Sequence, residues 1–463
     1  MIHKFKKNGC NIVLDVESGT VLSVDALVYD LLGEKGIVTP GEQIALISSH
    51  PEYTDEAIGA ALSEIRELIR EDMLYTENDA SEHNPFDMRR HDVKALCLHV
   101  SHDCNLRCEY CFAAQGDFNG ERLLMSPETG KKAIDFVIAN SGNRKNIEID
   151  FFGGEPLMNL DAVKEILEYA RSREADSGKH FNFTLTTNGV LLSDENMKWL
   201  DENMNNMVLS LDGRREVNDR MRKTVNGKGS YDLIKDDILK MAQMRDGKKD
   251  YYVRGTFTHN NLDFSEDVRF LADEGFKSIS VEPVVAEDGC GYELKKEDLP
   301  QILAQYDKLA QDYLKRGTDE EHPDFNFFHF NLNLDGGPCV YKRLSGCGAG
   351  ADYLAVTPEG DLYPCHQFVG NTDFCLGNLD TGVVREDIRE QFTEAHMLNK
   401  EACGSCWARY FCGGGCHANA WNFNKDLKKP YETACEMERC RVENGLMIYI
   451  KEQEKNEEGF LES

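Results

Sequence analysis

From Ala95 onward, short runs in which apolar and polar residues alternate take turns with longer runs in which apolar residues recur at helical spacing. The alternating runs predict strands at Ala95–Ser101, Ile147–Phe152, Phe181–Thr186, Met207–Leu211, Tyr252–Thr258 and Ser278–Glu282. The helical runs predict helices near Glu128–Ala139, Leu160–Arg171, Asp194–Glu202, Tyr231–Met244 and Phe264–Glu274. Strand–helix units in series imply an α/β protein whose parallel sheet curls into a partial (β/α)6 barrel. In such folds the chemistry collects on loops at the C-terminal strand ends.

Residues 1–76 read as a separate module. Strands are expected at Cys10–Val16 and Thr20–Asp25, joined at Glu17-Ser18-Gly19, and Asp25 caps a helix over Ala26–Leu32 that Gly33 stops. Thr54 caps a second helix with Ile58, Leu62, Ile65, Leu68 and Ile69 on one face, and Met73–Thr76 is a candidate last strand. The outline is winged-helix-like and carries no catalytic cluster. Polar residues 77–93 read as a linker to the barrel at 94–330. Within a last domain at 331–440, Cys339–Cys435 is loop-rich, with many glycines and cysteines and little helical period, and metal centres are expected to replace an ordinary core there. Residues 441–463 finish a helix drawn from Glu436 to about Gln453 and end in a frayed acidic stretch, Glu457–Ser463.

Composition narrows the class. A chain of 463 residues is too long for one core. No apolar run approaches a membrane span and Met1-Ile2-His3-Lys4-Phe5 opens no secretory signal, so a cytoplasmic protein without a membrane partner is expected. A formal net charge of −30 argues against nucleic acid as a partner. The 16 cysteines point to metal more than to disulfides, because they are clustered. Cys10, Cys97 and Cys290 stand alone and read as small buried apolar residues.

Cys104, Cys108 and Cys111 form a C-x3-C-x2-C run directly after the first barrel strand. Three thiolates can hold three irons of a cubane iron–sulfur cluster and leave one iron open to bind and cleave a small molecule. A zinc site short of a fourth ligand is the plainer alternative, although zinc sites usually show paired C-x2-C units. The second strand ends in Phe151-Phe152-Gly153-Gly154-Glu155-Pro156, where glycines let backbone approach a ligand and the Glu155 carboxylate can receive an ammonium group. Thr186-Thr187-Asn188-Gly189 and Ser210-Leu211-Asp212-Gly213 end the next two strands. Any one of these is as readily a plain turn; their recurrence at one barrel end argues for a ligand site.

The triplet, with Tyr110 before its third cysteine, and the Gly153-Gly154-Glu155-Pro156 segment resemble the radical S-adenosylmethionine superfamily. That resemblance implies that S-adenosylmethionine chelates the open iron and is split by one electron into methionine and a 5′-deoxyadenosyl radical, which abstracts a substrate hydrogen. It assigns catalysis to Cys104, Cys108 and Cys111 as cluster ligands. Gly153, Gly154 and Glu155 would receive the methionine ammonium, Tyr110 would lie beside the adenine, and Ser210, Arg222 and Asn188 are candidates for the carboxylate end.

The second block, Cys403-x2-Cys406-x5-Cys412-x3-Cys416 followed by Cys435, with Cys339, Cys347 and Cys365 upstream, allows two four-cysteine sites. Spacing alone leaves zinc and iron–sulfur open. Beside the first motif the block resembles the SPASM extension. The resemblance implies two auxiliary clusters with interleaved ligands: Cys403, Cys406, Cys412 and Cys435 for one, and Cys347, Cys365 and Cys416, with Cys339 as possible fourth ligand, for the other. Three [4Fe-4S] clusters are thus implied. Cys375 and Cys440 fall outside the pattern and read as structural. His366 stands where sulfatase-maturing relatives carry an acidic residue, which weakens a carboxylate-base reading.

Ser405-Cys406-Trp407-Ala408-Arg409-Tyr410-Phe411-Cys412-Gly413-Gly414-Gly415-Cys416-His417-Ala418-Asn419, Pro364–Gly370 and Asn11–Val16 resemble the maturases of six-cysteines-in-forty-five (SCIFF) peptides. The resemblance implies Cys-to-carbon thioether crosslinks in a ribosomal precursor peptide. It further implies leader binding by strand addition to the N-terminal module and an electron donor such as ferredoxin or flavodoxin. The competing expectations are a formylglycine-forming maturase and, in another class, a zinc-stabilised peptide-binding scaffold.

Overall fold

In the computed structural model, which describes residues 1–50, 52–77, 91–332, 334, 344 and 346–461, burial explains the first strands. Ile12, Val13 and Leu14 lose essentially all solvent contact, which makes β2 (Cys10–Asp15) the middle of an antiparallel sheet between β1 (Ile2–Lys7) and β3 (Val21–Val24). Asp25 caps α1 (Ala26–Leu31) by accepting from the Val28 N–H. A short ladder of β4 (Leu32–Gly33) and β5 (Gly36–Ile37) leads to α2 (Pro40–Ser49) and α3 (Asp55–Arg70). Hydrophobic pattern predicts neither β1 nor α2. In β1 only Ile2 and Phe5 are buried, and α2 buries no side chain. The signal for α2 lies in its Thr39–Glu42 capping box.

Met73–Thr76 does not form the expected strand. Asp72 and Tyr75 adopt φ of 55° and 53°, so the chain turns, and the Tyr75 hydroxyl donates to the Gly33 carbonyl at 2.7 Å. Most of the expected linker, 78–90, lies outside the described residues.

The main sheet begins with β6 (Ala95–Ser101), β7 (Asn146–Gly153), β8 (His180–Thr187), β9 (Asn206–Ser210), β10 (Asp250–Phe257) and β11 (Ser278–Pro283). They lie side by side in chain order, all parallel, and β12 (Asn326–Phe327) ends that edge. The connecting helices are α4 (Pro127–Asn140), α5 (Leu160–Ser177), α6 (Asp194–Asn203), α7 (Arg215–Met221), α8 (Tyr231–Arg245), α9 (Phe264–Asp273) and α10 (Leu299–Tyr313). Ser126 and Ser193 start α4 and α6 as side-chain caps. Along β8, Phe181, Phe183 and Leu185 point into the core, while Asn182, Thr184 and Thr186 share the other face.

Residues beyond 346 depart from expectation. Rather than lacking a core, they continue the barrel sheet. β13 (Tyr353–Val356) pairs in parallel with β6, Leu354 opposite Leu96, and β14 (Asp361–Tyr363), β15 (Gly377–Asn378) and β16 (Gly382–Val383) extend it antiparallel. Leu354, Ala355, Val356 and Leu362 are fully buried within the same core as the barrel strands. The runs are too short for their periodicity to register among the glycines. The C-terminal helix spans Glu432–Leu461, starting earlier than expected and continuing through most of the stretch expected to fray; residues 462–463 lie outside the description.

Cys10 and Cys97 are buried as expected, whereas Cys290 is exposed and its thiol contacts Glu293. The N-terminal module is fastened to the C-terminal block. The His3 ring stacks on Trp407 with centroids 3.7 Å apart, Glu17 pairs with Arg409, and the Tyr410 hydroxyl donates to Glu17 at 2.9 Å. Among the described residues no helix is long and apolar enough to cross a membrane.

Candidate functional site

The segment Ser101–Phe112 leaves the C-terminal end of β6 and is clamped on both sides. The Gly154 N–H donates to the Ser101 carbonyl at 2.7 Å and the Glu155 N–H to that of Asp103 at 2.9 Å. The Arg107 and Glu109 N–H groups donate to the Lys223 and Met221 carbonyls at 2.6 and 2.8 Å. The glycine pair makes the first clamp possible. A Cβ at Gly153 would stand 2.2 Å from the Ser101 carbonyl oxygen, and one at Gly154 2.2 Å from that of Asp103. Their smallness therefore brings backbone against the cysteine loop itself.

Cys104, Cys108, Cys111, Tyr110, Gly153, Gly154, Glu155, Asn188, Ser210 and Arg222 all line one pocket at the ends of β6–β9. Phe112, Phe152 and Thr186 complete its wall. Burial pushes the Cys104 thiol up to about 11 and the Cys108 thiol up to about 12, with Arg222 working in the opposite direction. Metal binding has to displace those protons.

Glu155 is differently employed from the expectation that its carboxylate receives an ammonium. It has no exposed surface; one oxygen accepts from the Leu157 N–H at 3.0 Å and the Thr187 hydroxyl at 2.8 Å, and the other from the Asn188 N–H at 2.8 Å. The carboxylate thus ties the end of β7 to that of β8. Asn188 in turn donates from its side chain to Asn105 at 2.7 Å and to the Cys104 sulfur at 3.5 Å.

Tyr110 joins two charges. Its hydroxyl donates to Asp212 at 2.8 and 2.9 Å and accepts from Arg222 at 2.9 Å. Burial pushes the Asp212 carboxyl up to about 6, against the pull of Arg222. Asp212 is a buried partner that strand-end turns alone could not single out: it reads as part of a turn until the structure places the Tyr110 hydroxyl on it. The Arg222 Nε is buried without a hydrogen-bond partner. A desolvated guanidinium with an unused donor, beside three soft thiols with no fourth in the pocket, fits an anionic iron–sulfur cluster with one open iron and a carboxylate-bearing ligand.

Behind the pocket lies an aromatic and imidazole wall. His366 has its ring centroid 5.1 Å from that of Phe152 and 5.3 Å from that of Phe112, and its Nδ1 is 3.1 Å from the Tyr353 hydroxyl. Burial lowers His366 to about 4, so it is neutral near pH 7. It stands next to Cys365, which links the pocket to the second cysteine block.

In that block the thiols fall into two groups by mutual influence. After burial itself, Cys347 and Cys416 are what push Cys365 up most. Cys435, pushed up to about 11 by burial, also feels Cys403 and Cys406, and Cys412, pushed up to about 12 by burial, feels Cys435 and Cys403. Cys339 lies outside the described residues. Cys440 is buried against Leu303 and Asp307, and the Cys375 thiol meets the Gly377 carbonyl. Among the described residues no three His, Cys, Asp or Glu side chains converge as tightly as a single ion requires. A cubane spreads its ligands over separate irons.

Residues 98–253 match the profile of the radical SAM superfamily, and residues 347–407 that of SPASM, an iron-sulfur cluster-binding domain. Over 426 residues the chain is 23% identical to the radical SAM cyclopropyl synthase TigE of Paramaledivibacter caminithermalis, covering 85% of this chain and 84% of that protein. It is 23% identical over 345 residues to a cysteine-type anaerobic sulfatase-maturating enzyme of Clostridium novyi, covering 71% of this chain and 88% of the relative. Among solved structures it resembles Streptococcus suis SuiB bound to S-adenosylmethionine, with a TM-score of 0.52 and 17% identity over 94% of this chain and 98% of SuiB. At that identity the structural likeness speaks for the fold.

Proposed function

This chain carries a radical S-adenosylmethionine domain and a SPASM domain, and on that premise we propose that it matures a ribosomally synthesised, cysteine-rich peptide by closing Cys-to-carbon thioether bonds. The observation that carries the reading is the convergence of three cysteines, the Gly153–Glu155 turn, Asn188, Ser210 and Arg222 on one pocket. Bound there, the open-iron cluster would supply the electron that splits S-adenosylmethionine, and the radical so formed would take a hydrogen from the peptide.

The chain's own residues do the positioning. Cys104, Cys108 and Cys111 hold the cluster, and the clamp by Gly153 and Gly154 fixes the loop that carries them. Arg222 offers its unused donor to the carboxylate of the cosubstrate, and Asp212, through Tyr110, keeps that guanidinium in place. With the Glu155 carboxylate occupied by three donors, an ammonium would meet backbone carbonyls of the turn. Phe112, Phe152 and His366 pack against one another between this pocket and Cys365. The groups Cys403, Cys406, Cys412, Cys435 and Cys347, Cys365, Cys416 would hold the two auxiliary clusters.

Substrate class follows from several supports. SuiB has also been solved bound to its precursor peptide SuiA. Among the described residues β3 is an edge strand that pairs with β2 alone, so an extended leader can add beside it. A neutral imidazole at position 366, where sulfatase maturases carry an acid, favours thioether closure over formylglycine. The test is anaerobic reconstitution with dithionite or reduced flavodoxin, S-adenosylmethionine and a short cysteine-rich peptide encoded beside this gene. The expected product has lost two hydrogens without gaining oxygen, with 5′-deoxyadenosine formed alongside. An oxygen-containing aldehyde product would establish the formylglycine reading instead, and a colourless, zinc-only protein would leave the scaffold.

A further inference from the structure

Lys400 is a long cationic side chain with 1% of its surface exposed, and cysteines of both groups influence it. Its backbone carbonyl accepts the Cys403 N–H at 2.9 Å, which fixes it one turn before that ligand. Its ammonium donates to the Gly414 carbonyl at 2.7 Å, in the glycine turn between Cys412 and Cys416. Cys412 belongs to one proposed cluster and Cys416 to the other. Burial lowers the affinity of this ammonium for its proton, and the thiols of Cys403, Cys412, Cys416 and Cys347 push the other way.

Among the described residues no carboxylate pairs with Lys400. A buried ammonium with one carbonyl for company is costly unless opposite charge lies near. Four thiolates around an oxidised cubane carry net negative charge, and adding an electron deepens it. The missing counter-charge is therefore what two clusters would bring. Arg439 makes a useful contrast: its guanidinium lies 3.9 Å from the Cys406 sulfur and pairs with Glu436, beside one group alone.

We propose that Lys400 is a shared electrostatic element that raises the reduction potential of both auxiliary clusters at once. The inference rests on the assignment of iron–sulfur clusters to this block. Its physical basis is that net charge near a cluster sets its potential, with a positive charge favouring the added electron. No bond changes hands, and each cluster gains one electron on reduction; burial works against the Lys400 charge, and negative charge on the surrounding sulfurs favours it. Lys400 acts through the clusters and is a positioning residue.

The experiment uses the full chain with Cys104, Cys108 and Cys111 replaced by alanine, so that only auxiliary clusters remain, titrated potentiometrically with EPR detection. In this background Lys400→Met should lower both midpoint potentials, each by at least a tenfold change in the reduction equilibrium, about 59 mV for one electron. Lys400→Arg should keep both near the parent values, and Arg439→Gln should lower one only. Lys400→Gln, which keeps a donor for Gly414 without charge, is the second neutral variant. Unchanged potentials in a fully loaded neutral variant, or a shift confined to one cluster, would overturn the proposal. So would loss of iron from both neutral variants but not from Lys400→Arg, because the role would then be structural. A parent protein that binds zinc and no iron would instead remove the assignment on which the proposal rests.

Discussion

The two cysteine regions differ in how they solve the same problem of presenting thiols to metal. The barrel site takes its three cysteines from one loop of consecutive sequence and borrows everything else from neighbouring strand ends. Its thiols share a pocket with one buried cation, Arg222, anchored through Tyr110 to Asp212. The C-terminal block takes its groups from interleaved positions, so that Cys416 lies with Cys347 and Cys365 although Cys412 is closer in sequence. Its buried cation, Lys400, faces both groups. A sheet can hold a site by registry alone. A loop-rich block has to cross-link its own turns.

The sharpest break of this comparison is to empty one region at a time. Replacing Cys104, Cys108 and Cys111 together by alanine should reduce 5′-deoxyadenosine formation to the protein-free background, and iron should fall from about twelve to about eight per chain. Liquid chromatography and iron analysis measure the two. Replacing Cys365 by alanine should do the converse: S-adenosylmethionine cleavage continues, while crosslinked peptide falls by at least about tenfold, as mass spectrometry would read. If cleavage and crosslinking fell together, the division of labour would be wrong.

A smaller effect separates the two regions by backbone packing. Gly154→Ala forces a methyl against the Asp103 carbonyl, whereas a Cβ at Gly404 meets nothing within 4 Å. Urea unfolding should show a loss of about 1–3 kcal/mol for Gly154→Ala, as for other overpacked sites, and close to none for Gly404→Ala.

The smallest effect is one of pH, and it should be common to both regions. Burial lowers His102, beside the barrel loop, to about 4 and His417, in the block, to about 3. Both lie below the ordinary histidine value of about 6.5, so the unfolded chain binds more protons in the interval between. Each histidine therefore contributes stability that is fully present above about 6.5 and lost as pH falls towards its folded value. The urea midpoint should decline from pH 7 to pH 5, and His417→Phe should remove one histidine's share of the slope, roughly 1.4 kcal/mol per pH unit.

How much of this could be read from the chain follows from what each signal depends on. Barrel strands such as β7 and β8 bury one face against helices, so alternate residues report them within a residue or so of their ends. The pocket was legible because its parts sit at repeated strand ends. The pull of Asp212 on Tyr110 spans 102 residues and leaves no local mark. Glu155 was legible as important but not in its job, because a carboxylate that accepts backbone N–H groups looks in sequence like one that awaits a ligand. β13 leaves little signal because Tyr353–Val356 is only four residues long and its neighbour in the sheet, β6, is the first barrel strand, far away in sequence. Lys400 looked like any other lysine until its burial was known.

The pairing of β13 with β6 also governs how this chain can be recombined. The strand that delivers Cys104 to its pocket is the same strand on which the C-terminal block is hung, with Leu96 facing Leu354 and Leu98 facing Val356. A chimera that exchanged the block between relatives would join at a hydrogen-bonded seam, not at a tether. The donor's strand would have to match the recipient's residue for residue, since a slip by one position would turn every side chain of the graft to the opposite face.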